Sequence, residues 1–194
     1  KFEQNYKRAR DAGLKIGFYH YVTARSVNQA EKEAQFFASV ISGKVADCRL
    51  AMDFESFGNL NKREINTIGL AFMKKLEELT KKEVVLYSNA YTASRIWEGE
   101  VTNYPLWIAQ YEVNKPENSG TWKSWAGWQY TDVGRVSGIS NNVDRDKFTK
   151  EIFMSEGTQI PDTEKPKPDE EDDKTTTKKI KIKFFPTNTY YERN

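Results

Sequence analysis

Apolar residues recur at two spacings in the first 155 residues, and these spacings define the predicted elements. Helical spacing predicts helices at 2–12, 27–41, 62–79 and 90–98. Short runs rich in β-branched and aromatic residues predict strands at 15–22, 48–55, 83–88, 106–111 and 126–130, with a weak strand at 141–144. A last helix is predicted at 145–154. Ser26 and Asn61 match the N-cap pattern, since Gln29 and Glu64 follow three residues later.

The alternation of helix and strand predicts an α/β fold with a parallel sheet. Five strands and a weak sixth are fewer than the about eight that close a (β/α) barrel. If the fold is such a barrel, its first strands are missing from this chain.

The composition changes near Ser155, which predicts a domain boundary. Three prolines and seven acids lie between Pro161 and Asp173, with no apolar side chain besides proline, so this part should be an extended linker. Lysine and isoleucine alternate at 178–185, which predicts an amphipathic strand. The predicted organisation is a folded domain at 1–154, an acidic linker at 155–178 and the start of a second domain at 179–194.

Composition argues against several classes of function. The net charge is +2, from 30 basic and 28 acidic residues, so there is no electrostatic reason to expect nucleic acid or a membrane surface as a partner. No apolar run approaches the about 20 residues that span a bilayer. The single Cys and the single His leave neither an intrachain disulfide nor a His/Cys zinc cluster. We expect a monomer.

Two acids at the end of one predicted strand are the strongest chemical signal. Asp53 and Glu55 share a face of the strand 48–55, because side chains alternate along a strand. Their charges repel, so the pKa of one should rise above that of the other. A protonated acid beside an ionised one is the arrangement that glycosidic bond hydrolysis uses. A structural acid pair, or a pair of metal ligands, fits the spacing as well.

Other predicted strand ends carry aromatic and amide side chains. Such platforms suit sugar rings, which have apolar faces and hydroxyl edges. The candidate substrate contacts of this kind are Tyr19, Tyr21, Tyr87, Trp107, Tyr111 and Gln129.

Five segments in order give the sequence a specific resemblance. They are 1–6 (KFEQNY), 12–21 (AGLKIGFYHY), 50–55 (LAMDFE), 106–111 (LWIAQY), and WQY at 128–130 followed by GI at 138–139 and VD at 143–144. Together these segments closely resemble family 25 glycoside hydrolases, the Chalaropsis-type lysozymes of bacteria and phages. The resemblance covers about residues 1–154.

The resemblance implies a TIM-like (β/α) barrel and N-acetylmuramidase activity on peptidoglycan, outside the cell or in its wall. It implies that Glu55 is the proton donor, that Asp53 is its acidic partner, and that Asp144 and Gln129 share the pocket. It implies no metal ion and no organic cofactor. Family members often carry wall-binding repeats after a linker, which fits the region after residue 178.

One departure from the family pattern concerns the N-terminus. Family members begin with a strand that bears an active-site Asp, followed by a second strand, and this chain starts after both. We therefore expect a barrel with two unpaired edges, and a fragment that is poorly folded or inactive on its own while the parent protein is active.

Two rival hypotheses remain open at the level of sequence. The first is a non-catalytic peptidoglycan-binding barrel that has lost its chemistry. The second is a different hydrolase in which Asp53 and Glu55 bind a metal ion. Release of reducing ends and sensitivity to chelators would separate these hypotheses from a lysozyme.

Overall fold

The structure is a computed structural model that describes residues 1–117, 119–155 and the backbone of 180–185. The helices are α1 (Phe2–Asp11), α2 (Val27–Ile41), α3 (Lys62–Thr80) and α4 (Ala90–Arg95), with short 3-10 helices at Gly99–Asn103 and Lys150–Ile152. The strands are β1 (Lys15–Tyr21), β2 (Leu50–Asp53), β3 (Val84–Asn89), β4 (Leu106–Ala109), β5 (Gly127–Gly134), β6 (Val143–Phe148) and β7 (Ile180–Phe185). None of the helices in this part of the chain is long and apolar enough to cross a bilayer.

Seven strands form one sheet in the order β6-β5-β4-β3-β2-β1-β7. Neighbouring strands from β1 to β5 are parallel, whereas β6 and β7 are antiparallel to β5 and β1. The result is a mixed α/β fold with a curled half-barrel sheet. Because β1 to β5 run in the same direction, their carboxyl ends meet at one edge of the sheet.

The helices cover one face of the sheet. Ser26 and Asn61 cap α2 and α3 as predicted, and Asn61 forms a complete capping box with Glu64. The apolar faces of α2 and α3 pack against the sheet. They share a core there with Leu50 and Met52 of β2 and with Phe54, the residue after β2. This main core includes Phe18, Phe37, Leu50, Met52, Phe54, Phe72 and Leu76.

The opposite face of the sheet holds a smaller core beneath a polar layer. Its buried members include Ala51, Val85, Trp107, Ala126 and Phe148. Gly127 is required here, because a Cβ at this position would lie 2.7 Å from both the Trp107 and the Phe148 rings. The polar layer above this core contains the candidate site.

The helix predicted at 145–154 is wrong. Residues 143–148 form strand β6, which pairs antiparallel with β5, so that Asp146 lies opposite Gln129. Alternate residues of β6 face opposite sides of the sheet. Backbone pairing with the edge of β5 outweighs the local helical preference of these residues. In addition, β2 ends at Asp53 rather than at residue 55, and α4 ends at Arg95.

The described sheet has two edges, as expected, but β1 is not one of them. The backbone of β7 pairs with β1 over six residue pairs, from Lys15 opposite Phe185 to His20 opposite Ile180. The described strands have a linear order, so the sheet is open, and its edges are β6 and β7. The predicted boundaries at 155 and 179 fall outside or at the margin of the described residues, and the domain division stays a prediction.

Candidate active site

A pocket opens at the edge where the parallel strands end. Asp53 is the last residue of β2, and the strand register places it opposite Tyr21 on one side and Tyr87 on the other. Six of the predicted site residues come together here, and the pocket is lined by Tyr19, Asp53, Tyr87, Trp107, Gln129 and Asp144. The parallel sheet therefore gathers side chains that are as many as 125 positions apart in the sequence, from Tyr19 to Asp144.

Glu55 lies on the loop after β2, two residues beyond Asp53; it is exposed and is not one of the residues that line the pocket. Partial burial raises the pKa of Glu55, while hydrogen bonds with Asn89 and Asp53 oppose that rise. A hydrogen bond between two carboxyl groups requires a proton on one of them. The two side chains can therefore form this hydrogen bond only while they share one proton.

Three carboxyl groups surround the two tyrosines of the pocket. Burial raises the pKa of Tyr19 and of Tyr87, and the charges of Asp53, Glu55 and Asp144 raise both further. The two hydroxyl groups therefore stay protonated, and that of Tyr19 can donate a hydrogen bond to a ligand. The charge of Asp144, on the antiparallel strand β6, therefore reaches the same two hydroxyl groups as the charges of Asp53 and Glu55.

Gln129 is a buried junction on β5, with 3 % of its surface exposed. Its Oε1 accepts hydrogen bonds from the hydroxyl groups of Tyr87, at 2.9 Å, and of Tyr111, at 2.6 Å. Tyr111 is 38 % exposed at the rim, and burial of its hydroxyl group, with a smaller contribution from Asp132, raises its pKa to about 12. Gln129 thus fixes both the ring of Tyr87, which lines the pocket, and the ring of Tyr111, which lies nearer the solvent.

Trp107 forms part of the pocket wall, and its orientation is fixed from behind. Its Nε1 donates a hydrogen bond to Asp146 Oδ1 at 2.9 Å. Its ring meets Tyr87 edge-to-face, with centroids 5.3 Å apart, and Phe148 at the same distance. Asp146 was missed at the level of sequence because a helix was predicted there. The alternation of Asp144, Asp146 and Phe148 was the available signal.

Tyr21 does not line the pocket. It is exposed at the end of β1, where it forms a hydrogen bond with Ser56 and lies near the charge of Glu55. Arg25 Nη2 also donates to Ser56 Oγ, at 3.3 Å, so the loop after β1 contacts the loop that carries Glu55. Tyr21 is thus placed beside the acid rather than inside the cleft.

Asn89 is a second residue that sequence reasoning missed. It is the last residue of β3 and forms a hydrogen bond with Glu55. A polar residue at a strand end, directly before a helix, was the signal that could have identified it.

Among the described residues, no group of three or more His, Cys, Asp or Glu side chains is arranged to hold a metal ion.

Comparison with known proteins adds an independent finding. The profile of glycosyl hydrolases family 25 matches residues 1–139. The chain is 37 % identical to the autolytic lysozyme of Clostridium acetobutylicum over 166 residues, which cover 83 % of this chain and 47 % of that protein. It is 30 % identical to lysozyme M1 of Streptomyces globisporus over 161 residues, which cover 76 % of this chain and 54 % of that protein. The chain spans about half the length of these curated relatives.

Solved structures agree with the sequence relatives. The CTP1L endolysin superposes with a TM-score of 0.66 at 31 % identity, over 78 % of this chain and 53 % of that chain. The spore cortex lytic enzyme SleM of Clostridium perfringens superposes with a TM-score of 0.68 at 26 % identity, over 74 % of this chain and 52 % of that chain. The family profile over residues 1–139 and the 37 % identity to a curated relative show that the chain belongs to glycosyl hydrolases family 25.

Proposed function

We propose that this chain is the glycosidase part of a lysozyme that hydrolyses the β-1,4 bond between N-acetylmuramic acid and N-acetylglucosamine in peptidoglycan. The observation that carries the proposal is the pairing of Glu55, whose pKa burial raises, with Asp53 at the mouth of the pocket. The substrate is the glycan strand of peptidoglycan, so we place the site of action outside the cell or in its wall. The family and the parallel strands support a TIM-like (β/α) barrel for the whole domain.

In the proposed reaction, Glu55 is the general acid. Its proton passes to the glycosidic oxygen as the bond from the anomeric carbon to that oxygen breaks, and the bonding electron pair leaves with the oxygen. The Asp53 carboxylate stabilises the positive charge that develops on the sugar ring. Water then adds to the anomeric carbon and returns a proton to the Glu55 carboxylate. Atoms and charge balance without a cofactor.

The remaining pocket residues have binding roles in this proposal. Trp107 and the rings of Tyr19 and Tyr87 provide flat apolar surfaces for a sugar ring. The hydroxyl groups of these tyrosines, and the Asp144 carboxylate, provide hydrogen bonds for its hydroxyl and acetamido groups. Tyr21 and Tyr111, at the rim, are placed to contact sugars on either side of the scissile bond.

The test is Glu55→Gln in the natural full-length protein, with release of reducing ends from purified peptidoglycan as the assay. Loss of the general acid should lower hydrolysis by about 10²- to 10⁴-fold, while binding to insoluble peptidoglycan stays measurable. The matched control is Glu31→Gln, on α2 at the opposite face of the sheet. Full hydrolysis by Glu55→Gln would refute the assignment of the acid. Binding without any hydrolysis by the wild type would indicate a non-catalytic wall-binding protein.

The pH dependence gives a second test of the same assignment. A general acid must be protonated, and burial raises the pKa of Glu55. Hydrolysis should therefore persist above the pH at which an ordinary glutamate has lost its proton, and fall as pH rises through the raised pKa. Activity that increases steadily with pH in this range would contradict the role of Glu55.

A further inference from the structure

We propose that Asn89 is a positioning residue for Glu55, and that the start of helix α4 fixes Asn89 in the orientation that this role requires. The proposal rests on the proposed function for its catalytic meaning, since it concerns the residue assigned as the general acid. Asn89 has no direct part in the chemistry described above. Its two amide atoms face two different partners, and this division carries the argument.

The first partner of Asn89 is the backbone of α4. Asn89 is the N-cap of this helix, and its Oδ1 accepts a hydrogen bond from the backbone N–H of Thr92 at 2.9 Å. The N–H groups in the first turn of a helix have no partner within the helix, so a cap of this kind stabilises the helix. Because Oδ1 is held by the cap, the amide group cannot turn over without losing that bond.

The second partner is the Glu55 side chain. Parallel pairing places Asp53 opposite Tyr87, so Glu55 and Asn89, each two residues further on, occupy matching positions at the ends of neighbouring strands. The hydrogen bond with Asn89 lowers the pKa of Glu55, so it is donated to the carboxylate, and Nδ2 is the atom of the amide that can donate it. An amide N–H can only donate, and it donates most strongly to a carboxylate. Asn89 therefore holds the acid in place and favours the state that Glu55 reaches after it has given up its proton.

The junction between β3 and α4 is a rigid support for this contact. Ser88, the residue before Asn89, accepts a hydrogen bond at Oγ from Trp97 Nε1 at 3.1 Å, and both of these residues are buried. Trp97 lies two residues beyond the end of α4. The start of α4 is therefore held by Asn89, and the chain just after α4 is held by Ser88, the residue before Asn89 in β3. The position of the Asn89 amide is thus set by packing that does not involve the pocket.

Several charged and titratable groups also face Glu55. Asp53 is its neighbour on β2, and the hydroxyl groups of Tyr19, Tyr21, Tyr87 and Tyr111 on β1, β3 and the end of β4 feel its charge. Asp144 on β6 acts on three of the same tyrosines. Within the described residues Asn89 is the neutral side chain whose hydrogen bond favours the Glu55 carboxylate. The effect of replacing it should therefore be separable from the effect of the surrounding charges.

The experiment uses three replacements that separate the cap from the donor. Asn89→Ser keeps a capping oxygen but places no amide beside Glu55. Asn89→Ala removes both the cap and the donor, and Asn89→Asp keeps the cap but puts a like charge where the donor was. The two readouts are the thermal midpoint and the titration of the Glu55 carboxyl carbon by ¹³C NMR, both on the natural full-length protein, with Glu55→Gln to assign the signal.

The expected pattern differs between the two readouts. The pKa of Glu55 should rise in the Ser and Ala variants and rise furthest in the Asp variant, whereas the thermal midpoint should fall clearly only in Ala. In the natural full-length protein, the alkaline limb of hydrolysis should move to higher pH in the Ser variant, and kcat should fall about tenfold or less with KM little changed.

Two outcomes would overturn the proposal. One is an unchanged Glu55 titration in the Ser and Asp variants, and the other is a titration change that occurs only together with a loss of thermal stability. The NMR measurement needs no turnover. If the wild type proves inactive on peptidoglycan while the titrations shift as expected, the proposed function fails and the contact between Asn89 and Glu55 stands.

Discussion

Replacing Glu33 should destabilise the fold far more than its position on a surface helix suggests. Glu33 is 6 % exposed and His20 is 1 % exposed. The Glu33 carboxylate forms three hydrogen bonds, with His20 Nε2 at 3.0 Å, with Thr23 N–H at 3.1 Å and with the Thr23 hydroxyl group at 2.8 Å. His20 is stacked between the rings of Phe37 and Phe72, so water cannot replace a lost partner on those sides.

The magnitude follows from the number of bonds that change. Glu33→Gln keeps one acceptor oxygen and turns the other into a donor, so it loses one or two hydrogen bonds of a buried carboxylate. Each such bond contributes about 1.5–3 kcal/mol, and we expect a loss of about 2–3 kcal/mol in the free energy of unfolding. For a domain of this size that corresponds to a fall of about 5–10 °C in the thermal midpoint.

The loss should also depend on pH. Burial alone would raise the pKa of Glu33, but the hydrogen bonds with His20 and Thr23 outweigh burial and lower it. A carboxyl group with a lowered pKa stabilises the fold above its unfolded pKa, and this contribution disappears as pH falls through the folded value. The difference between wild type and Glu33→Gln should therefore be largest near neutral pH and shrink in acid.

Urea denaturation followed by tryptophan fluorescence at several pH values measures this directly. The matched control is Glu31→Gln, on the same helix but on a different face, which should change stability by less than about 0.5 kcal/mol. A loss for Glu33→Gln as small as that of the control would refute the reasoning. So would a difference from wild type that grows as the pH is lowered.

Two further predictions concern the inner face of the sheet. Gly127→Ala should lower the free energy of unfolding by about 1–3 kcal/mol, because the added Cβ would lie 2.7 Å from the Trp107 and Phe148 rings; a thermal midpoint equal to that of wild type would contradict this close packing. Asp146→Ala should free the Trp107 indole and raise KM for peptidoglycan several-fold, whereas Asp146→Asn, which keeps an acceptor for Trp107 Nε1, should not; equal KM values for the two variants would argue against this role.

The elements with strong local signals were predicted well from the sequence. Helix α2 begins and ends at the predicted residues, and Ser26 and Asn61 cap their helices as expected. Capping and amphipathic spacing act over three to eight residues, so a single sequence contains all the information they need. The placement of Asp53 at the end of a buried strand was correct for the same reason.

The C-terminal part of the folded region was predicted less well. Residues 145–154 have a composition that a helix tolerates, yet β6 forms there because the edge of β5 offers backbone hydrogen-bonding groups that need partners. The pairing of β7 with β1 is of the same kind, since it joins strands separated by more than 150 positions. Strand pairings of this type depend on which strand edge is available, and the local sequence pattern contains no information about that.

What the sequence alone determined is the family, the alternation of helices and strands, and the two neighbouring acids that we propose for the reaction. What only the tertiary structure decided is how the site is supported. Asp146 holds Trp107 across 39 positions, Gln129 holds Tyr87 across 42, and Asn89 reaches Glu55 from a neighbouring strand. These contacts, and the burial that raises the pKa of Glu55, exist only once parallel strands bring their carboxyl ends to one edge. Proximity in space, and not in the chain, creates them.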